Sequence, residues 1–264
     1  VGSLVSGCGS AGANSTSGSS SSKITVSGST SVGPTMEILA EDYQKENDTT
    51  TIEVQQVGSS AGITNTIDGT SQIGMSSRDL KDEEKSELKE YQIAIDGIAV
   101  ITNSANKVKD LTLDQVKDIY TGKITNWKEV GGNDAEIVVV SREDGSGTRD
   151  GFQEIVGFES GDLTSNAQIS DGSGNIKTTV QGNENAIGYI SFGYLDDSIN
   201  SVKIGGVEPK EENVYNKKYP ISRPFLLVTK GDATGDAKSF IDYVLSDEGQ
   251  KTIEKEGFMS INQK

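Results

Sequence analysis

The sequence reads as α/β: strands and helices in alternation, layered on largely parallel sheets. Three observations predict it. Short β-branched or alternating runs of strand length recur along the chain, and apolar residues at helical spacing follow most of them. The turns between them are rich in glycine and hydroxyl residues, the usual punctuation of such elements. At 264 residues the chain is long enough for one large or two medium domains with a sizeable core. Strands are predicted at 24–27, 52–57, 72–75, 92–102, 136–141, 186–191, 202–204 and 222–229. Helices are predicted at 34–46, 61–68, 82–89, 112–120, 147–156, 174–181 and 235–256.

The first unit is the strand Ile24-Thr25-Val26, the turn Ser27 to Pro34, and a helix with the apolar face Val32, Met36, Leu39, Ala40 and Tyr43. Pro34 is tolerated in that helix's first turn. The second unit is the alternating run Ile52 to Val57, the turn Gly58-Ser59-Ser60-Ala61-Gly62, and a short helix marked by Ile63 and Ile67. The third is Val138-Val139-Val140 feeding Ser141-Arg142-Glu143-Asp144-Gly145-Ser146-Gly147-Thr148, with Phe152, Ile155 and Val156 continuing as a helix. Asp171-Gly172-Ser173-Gly174 repeats the pattern of 144–147, but no arginine accompanies it, and it is read as a helix start rather than a ligand contact. Asp82-Glu83-Glu84-Lys85 and the charges of the last helix (Lys251, Glu254, Lys255, Glu256) are read as solvated faces, and Trp127 as core packing.

Each of the three turns leaves backbone N–H groups at a helix start without intrahelical partners, with the positive end of the macrodipole behind them. Such termini bind anions. Gly145 and Gly147 let the main chain approach a ligand closely, and Ser146 and Thr148 add hydroxyl donors. Arg142 offers a planar fork that grips an oxyanion through two bonds. One such turn alone is an N-cap and a bend. Three of them, with an arginine, point to convergence on one anion at the carboxyl ends of the strands. A P-loop is disfavoured, because no Gly-Lys-Ser/Thr follows the glycine turn.

Ser-Gly-Ser-Thr-Ser at 27–31, Gly-Ser-Ser at 58–60, Gly-Met-Ser-Ser-Arg at 74–78 and Arg-Glu-Asp-Gly-Ser-Gly-Thr at 142–148 together resemble the phosphate-binding protein of the high-affinity ABC phosphate importer. Supporting segments are Leu113 to Trp127, Asn185 to Ser191 and Tyr219 to Leu227, so the resemblance runs from Lys23 to the C-terminus in the family's order. It implies a two-lobe, periplasmic-binding-protein-like fold of type II, with crossings near residues 99–104 and 220–225 and the ligand in the hinge cleft. Lobe one would hold 24–101 and 224–264, and lobe two 102–223. The implied function is capture of inorganic phosphate outside the cytoplasmic membrane and delivery to an ABC permease. The protein would be a monomer that needs no cofactor or metal and has no enzymatic activity. The implied phosphate contacts are Thr30, Ser31, Ser59, Ser77, Arg142, Ser146, Gly147 and Thr148. Asp144 is expected to orient Arg142 or share its charge, since a carboxylate so near an anion must be paired. Many family members carry an acidic residue where Ser77 stands, which accepts the proton that phosphate keeps and sulfate lacks. Asp96, read at the end of a strand near the first crossing, is the candidate substitute. The alternative readings are another oxyanion such as sulfate, or a surface adhesin or sensor of the same fold.

Composition agrees. Lysine and arginine total 24 against 40 acidic residues, and the net charge of −16 argues against nucleic acid as a partner. A buried anion site tolerates that surplus, because distant charge is screened beyond ~10 Å at ordinary ionic strength. The chain has no histidine, the commonest general base and metal ligand. An esterase reading therefore lacks its usual machinery. The single cysteine follows Leu4-Val5-Ser6-Gly7, which resembles a bacterial lipobox. Residues 1–7 are read as a signal-peptide remnant and Cys8 as the lipidated residue that holds the protein to a membrane. Residues 8–23 are read as a flexible Ser/Gly tether. No run of ~18 apolar residues is present to span a bilayer.

Overall fold

The structure, a computed structural model, describes residues 20–262. Cys8 and most of the Ser/Gly segment lie outside the described residues. The elements in order are β1 (Ser22–Gly28), α1 (Gly33–Glu46), β2 (Thr50–Gln56), α2 (Ser59–Asp68), β3 (Ile73–Ser76), α3 (Asp82–Lys85), β4 (Leu88–Asn103), β5 (Asp110–Leu111), α4 (Leu113–Tyr120), β6 (Val138–Arg142) and α5 (Gly147–Val156). There follow β7 (Gln168–Ser170), α6 (Ser173–Gln181), β8 (Ala186–Ser191), β9 (Ile199–Ser201), β10 (Lys203–Ile204), α7 (Glu211–Tyr215), β11 (Ser222–Lys230), α8 (Gly235–Leu245), α9 (Asp247–Lys255) and β12 (Met259–Ser260).

Ten strands join in one sheet, with the path β2-β1-β3-β11-β4-β8-β6-β7 and with β9 and β12 added against β4. The outer pairs are parallel: β1 with β2 and β3, and β6 with β7 and β8. The centre is not. β11 is antiparallel to β3 and β4, and β4 is antiparallel to β8 and β9, so the sheet is mixed rather than largely parallel. The reason is topological. The chain leaves the first half along β4 and returns beside it along β11, and neighbouring outward and return strands must oppose one another.

Two large apolar cores sit on either side of this junction, and a smaller cluster of Ile63, Leu80, Leu88, Leu226 and Val228 is separate from both. One gathers Val26, Met36, Leu39, Ile73, Met75, Ala94, Phe225, Leu227, Phe240 and Ile253. The other gathers Ile98, Val100, Trp127, Val140, Phe152, Ile187, Tyr189 and Ile221. The change of core falls between Ala94 and Ile98 on β4 and between Ile221 and Phe225 on the return. At that boundary Asp96 and Arg223 face each other directly across the strand pair. Asp96 thus lies inside a 16-residue strand, not at a strand end. The β-branched run predicted at 92–102 starts earlier, at Leu88, because Leu88 to Tyr91 pair with Leu227 to Lys230.

Two helices differ from expectation. The segment predicted as a helix over 82–89 is helical only through Lys85, because Leu88 already belongs to β4. Glu84 is also not on a solvated face: it accepts from Arg78 Nη1 at 2.7 Å and Nη2 at 3.1 Å, and its side chain is 13% exposed. The C-terminal helix predicted over 235–256 is two helices, broken at Ser246 (φ −66°, ψ 163°), whose Oγ accepts from Gly249 N.

Candidate functional site

Four strand-to-helix turns bring their helix N-termini together at the carboxyl ends of β1, β2, β6 and β7. In the first, Ser29 Oγ accepts from the N–H groups of Ser31 and Val32 and shapes the entry to α1. In the second, Gly58 adopts φ +94° and puts Ser59 at the start of α2. In the third, Ser146 caps α5 by accepting from Arg149 N. The fourth is the Asp171-Gly172-Ser173-Gly174 turn that opens α6.

The predicted contact residues meet here. Ser31, Ser59, Ser77, Arg142, Ser146 and Thr148 are all no more than 2% exposed, a density of buried polar groups that an apolar core does not tolerate without partners. Thr30 is half-buried. Ser31 Oγ and Thr148 Oγ1 share a hydrogen bond of 2.9 Å, although one follows β1 and the other begins α5. Ser59 Oγ lies 3.1 Å from Ser77 Oγ and accepts from Ser77 N. Gly147 faces this pair so closely that a Cβ on it would stand 2.2 Å from Ser59 Oγ and 2.6 Å from Ser77 Oγ. Only glycine fits there.

Arg142 spans the site. Its Nε and Nη2 donate to Glu143 at 2.8 Å each, Nη2 also donates to Thr30 Oγ1 at 2.9 Å, and Nη1 donates to Ser173 Oγ at 3.1 Å. The carboxylate that holds this arginine is Glu143. Asp144 is exposed at the tip of the turn, on an outer groove with Ser60, Arg78 and Asp150. The chain folds Glu143 back onto Arg142, where it also accepts from Gly172 N, and this turns the next residue outward. Burial opposes ionisation of Glu143, but the hydrogen bonds and charge of Arg142 outweigh it and hold its pKa below the ordinary value. Two further residues fix the end of β6. Tyr189 OH accepts from Arg142 N at 3.1 Å, and Arg149 Nη1 donates to the Arg142 carbonyl at 3.0 Å.

Asp96 is fully buried, and its oxygens are taken. Oδ1 accepts from Ser191 Oγ at 2.7 Å, and Oδ2 accepts from Arg223 Nε at 3.0 Å and Nη2 at 2.8 Å. Burial pushes its carboxyl up, against the lowering effect of Arg223 and Ser191. Asp96 therefore reaches the cluster through Arg223, whose Nη2 donates to Ser31 Oγ at 3.2 Å and Nη1 to the Ser77 carbonyl at 3.3 Å. Sequence reasoning missed Arg223, Glu143 and Ser173 as members of the site. Arg223 lies inside the Tyr219 to Leu227 segment, and Ser173 has no arginine beside it in the sequence. Arg142, 31 residues earlier, supplies that neighbour.

Residues 13–248 match the PBP superfamily domain. The phosphate-binding protein PstS of Bacillus subtilis (strain 168) is 37% identical over 262 residues, covering 95% of this chain and 87% of that protein. The chain belongs to the family of phosphate-binding proteins. Its fold is the two-lobe α/β fold of periplasmic binding proteins. An X-ray structure of a phosphate ABC transporter substrate-binding protein from Clostridium perfringens, solved with bound phosphate, superposes with a TM-score of 0.89 at 64% identity, covering 91% of this chain and all (100%) of that one. An ABC-type phosphate transport receptor from Vibrio cholerae superposes at 0.78 with 38% identity, covering 90% and 99% of the two chains. No described helix is long and apolar enough to cross a membrane.

Proposed function

We propose that this protein binds inorganic phosphate in the cleft between its two halves, outside the cytoplasmic membrane, and delivers it to an ABC permease. The observation that carries this reading is the convergence of Thr30, Ser31, Ser59 and Ser77 with Arg142, Ser146, Gly147 and Thr148. The first four come from turns on one core, the others from a turn on the other. One small anion touching both sets would hold the halves together. The lobes are proposed at 24–101 plus 224–264 and at 102–223; the change of core between Ile221 and Phe225 on β11 supports the second boundary, and on β4 the change falls earlier than the first, between Ala94 and Ile98. The chemistry is capture and release by a monomer, with no bond broken.

Donors to a charged oxygen contribute about 1.5–3 kcal/mol each. A handful of them, less the cost of immobilising a small ion, reaches the ~8 kcal/mol of a micromolar site. Selectivity against sulfate rests on acceptors. With Ser77 in the acidic position, and with Asp96 and Glu143 both engaged by arginines, sulfate is the second ligand this site fits. A calorimetric titration with phosphate and then sulfate tests both readings. Heat of binding with phosphate is expected, with a smaller gap to sulfate than an acidic reader would give; no heat with phosphate overturns the proposal. Membrane attachment is proposed through a lipid on Cys8, on the support of Leu4-Val5-Ser6-Gly7-Cys8. Cys8→Ala should then leave the membrane fraction for the soluble or secreted one, and equal retention of both forms would end the lipoprotein reading.

A further inference from the structure

The two buried arginines of the cleft are arranged alike. Arg142 holds Glu143 with its Nε and Nη2, turns the second Nη2–H to Thr30 Oγ1, and points Nη1 to Ser173 Oγ. Arg223 holds Asp96 with its Nε and Nη2, turns the second Nη2–H to Ser31 Oγ, and points Nη1 to the Ser77 carbonyl. Each guanidinium has five donors, so each has one Nη1–H without a protein partner among the described residues. Thr30 and Ser31 are consecutive, and Ser31 Oγ lies 3.1 Å from Ser173 Oγ. Two serine hydroxyls thus stand between two guanidiniums, Arg142 at the end of β6 and Arg223 on β11 at the junction of the two cores.

That arrangement is costly unless it serves something. Arg223 is 4% exposed and Arg142 2%. Burial pulls Arg223's pKa below its ordinary value against the support of Asp96, and the like charge of Arg142 adds to the pull. A buried ion pair is by itself weak evidence of stabilisation, since apolar residues of similar volume often serve as well. An anion carrying close to two charges, placed among Ser31, Ser77 and Thr148, relieves the repulsion from both sides.

We infer that Arg223 is a second guanidinium ligand of the bound oxyanion, facing Arg142 across it, and that Asp96 positions Arg223 instead of accepting the ligand's proton. The inference rests on the phosphate reading above. It gives Asp96-Arg223, at the junction of the two cores, a binding role where the hinge and the cleft meet.

Phosphate and sulfate titrations of the wild type and three variants test it, with thermal unfolding measured alongside. Arg223→Lys keeps the charge and loses the fork; it should bind phosphate at least about tenfold more weakly, with an unfolding temperature close to wild type. The double variant Asp96→Leu with Arg223→Met removes both charges together. It should stay folded and also lose at least about tenfold in affinity, whereas a purely structural pair would leave affinity intact. Asp96→Asn, if Asp96 is a positioning residue, changes phosphate and sulfate affinity by the same factor. A loss confined to phosphate would make Asp96 the proton reader and overturn that half of the inference. Wild-type affinity in Arg223→Lys, or in a folded double variant, overturns the other half while wild-type binding keeps the phosphate reading standing. If the wild type itself takes no phosphate, that reading falls and this inference with it.

Discussion

Arg142 concentrates the chemistry of the cleft because one planar group meets Thr30 from one core and Ser173 from the other while Glu143 fixes its plane. Arg142→Ala should therefore weaken phosphate binding by about tenfold or more, the equivalent of one charged hydrogen-bond set, and leave the circular dichroism spectrum unchanged. Wild-type affinity in that variant would make the arginine a structural strut. The residues of the Arg142 turn were legible in the sequence because they are neighbours in the chain and each brings a distinct donor. Arg223 was not. It lies in a strand-like run, and its carboxylate partner is 127 residues away. The choice between Glu143 and Asp144 was equally hidden, since two adjacent acids look alike until the direction of the turn is known.

At the scale of elements, β1, β2, β3, β6 and β8 and the helices α1, α2, α4, α5 and α6 were readable from periodicity and turn chemistry. β10 falls within the strand predicted at 202–204, whereas the short strands β5, β7, β9 and β12 have two or three residues each and are recognised only by what they pair with. The break at Ser246 was hidden by continuous apolar spacing on both sides. Its signal was local: Ser246-Asp247-Glu248-Gly249 is an N-cap followed by acidic residues in a first turn. Ser246→Ala should cost about 1 kcal/mol of stability. Gly249→Ala should cost more, because a Cβ there would stand 2.3 Å from the Tyr243 carbonyl oxygen. Both are checked by denaturant unfolding. Gly147, at the first position of α5, tests a different property. Gly147→Ala drives a methyl into Ser59 and Ser77 only when the two turns approach. Phosphate affinity should fall by about tenfold or more while the unfolding temperature stays near wild type, and intact affinity would show that the cleft does not close this tightly.

Across the whole molecule the halves are joined by more than the ligand residues. Arg78 Nε lies 3.2 Å from Asp150, Ser60 N donates to the Gly145 carbonyl at 3.3 Å, and Tyr194 OH donates to the Thr30 carbonyl at 3.0 Å. These contacts favour closure without touching the anion, so Asp150→Asn should weaken phosphate binding by only about two- to fivefold, the range of a partly exposed ion pair. Acid should loosen the same assembly. Burial raises the pKa of Glu143 and Glu84, but their arginines lower it further, so each carboxylate ends below its unfolded value of 4.5. A depressed folded pKa gives stability that is present above the unfolded value and lost as pH falls through the folded one. The unfolding temperature should therefore hold down to about pH 5 and drop below it, and Glu143→Gln should flatten part of that drop. The central claim is that one phosphate is gripped by both halves at once. Solution X-ray scattering with and without phosphate tests it most directly: the radius of gyration should shrink on saturation in the wild type, and in Arg142→Ala it should shrink only at correspondingly higher phosphate. Full phosphate binding with no change in the wild-type dimensions would contradict it.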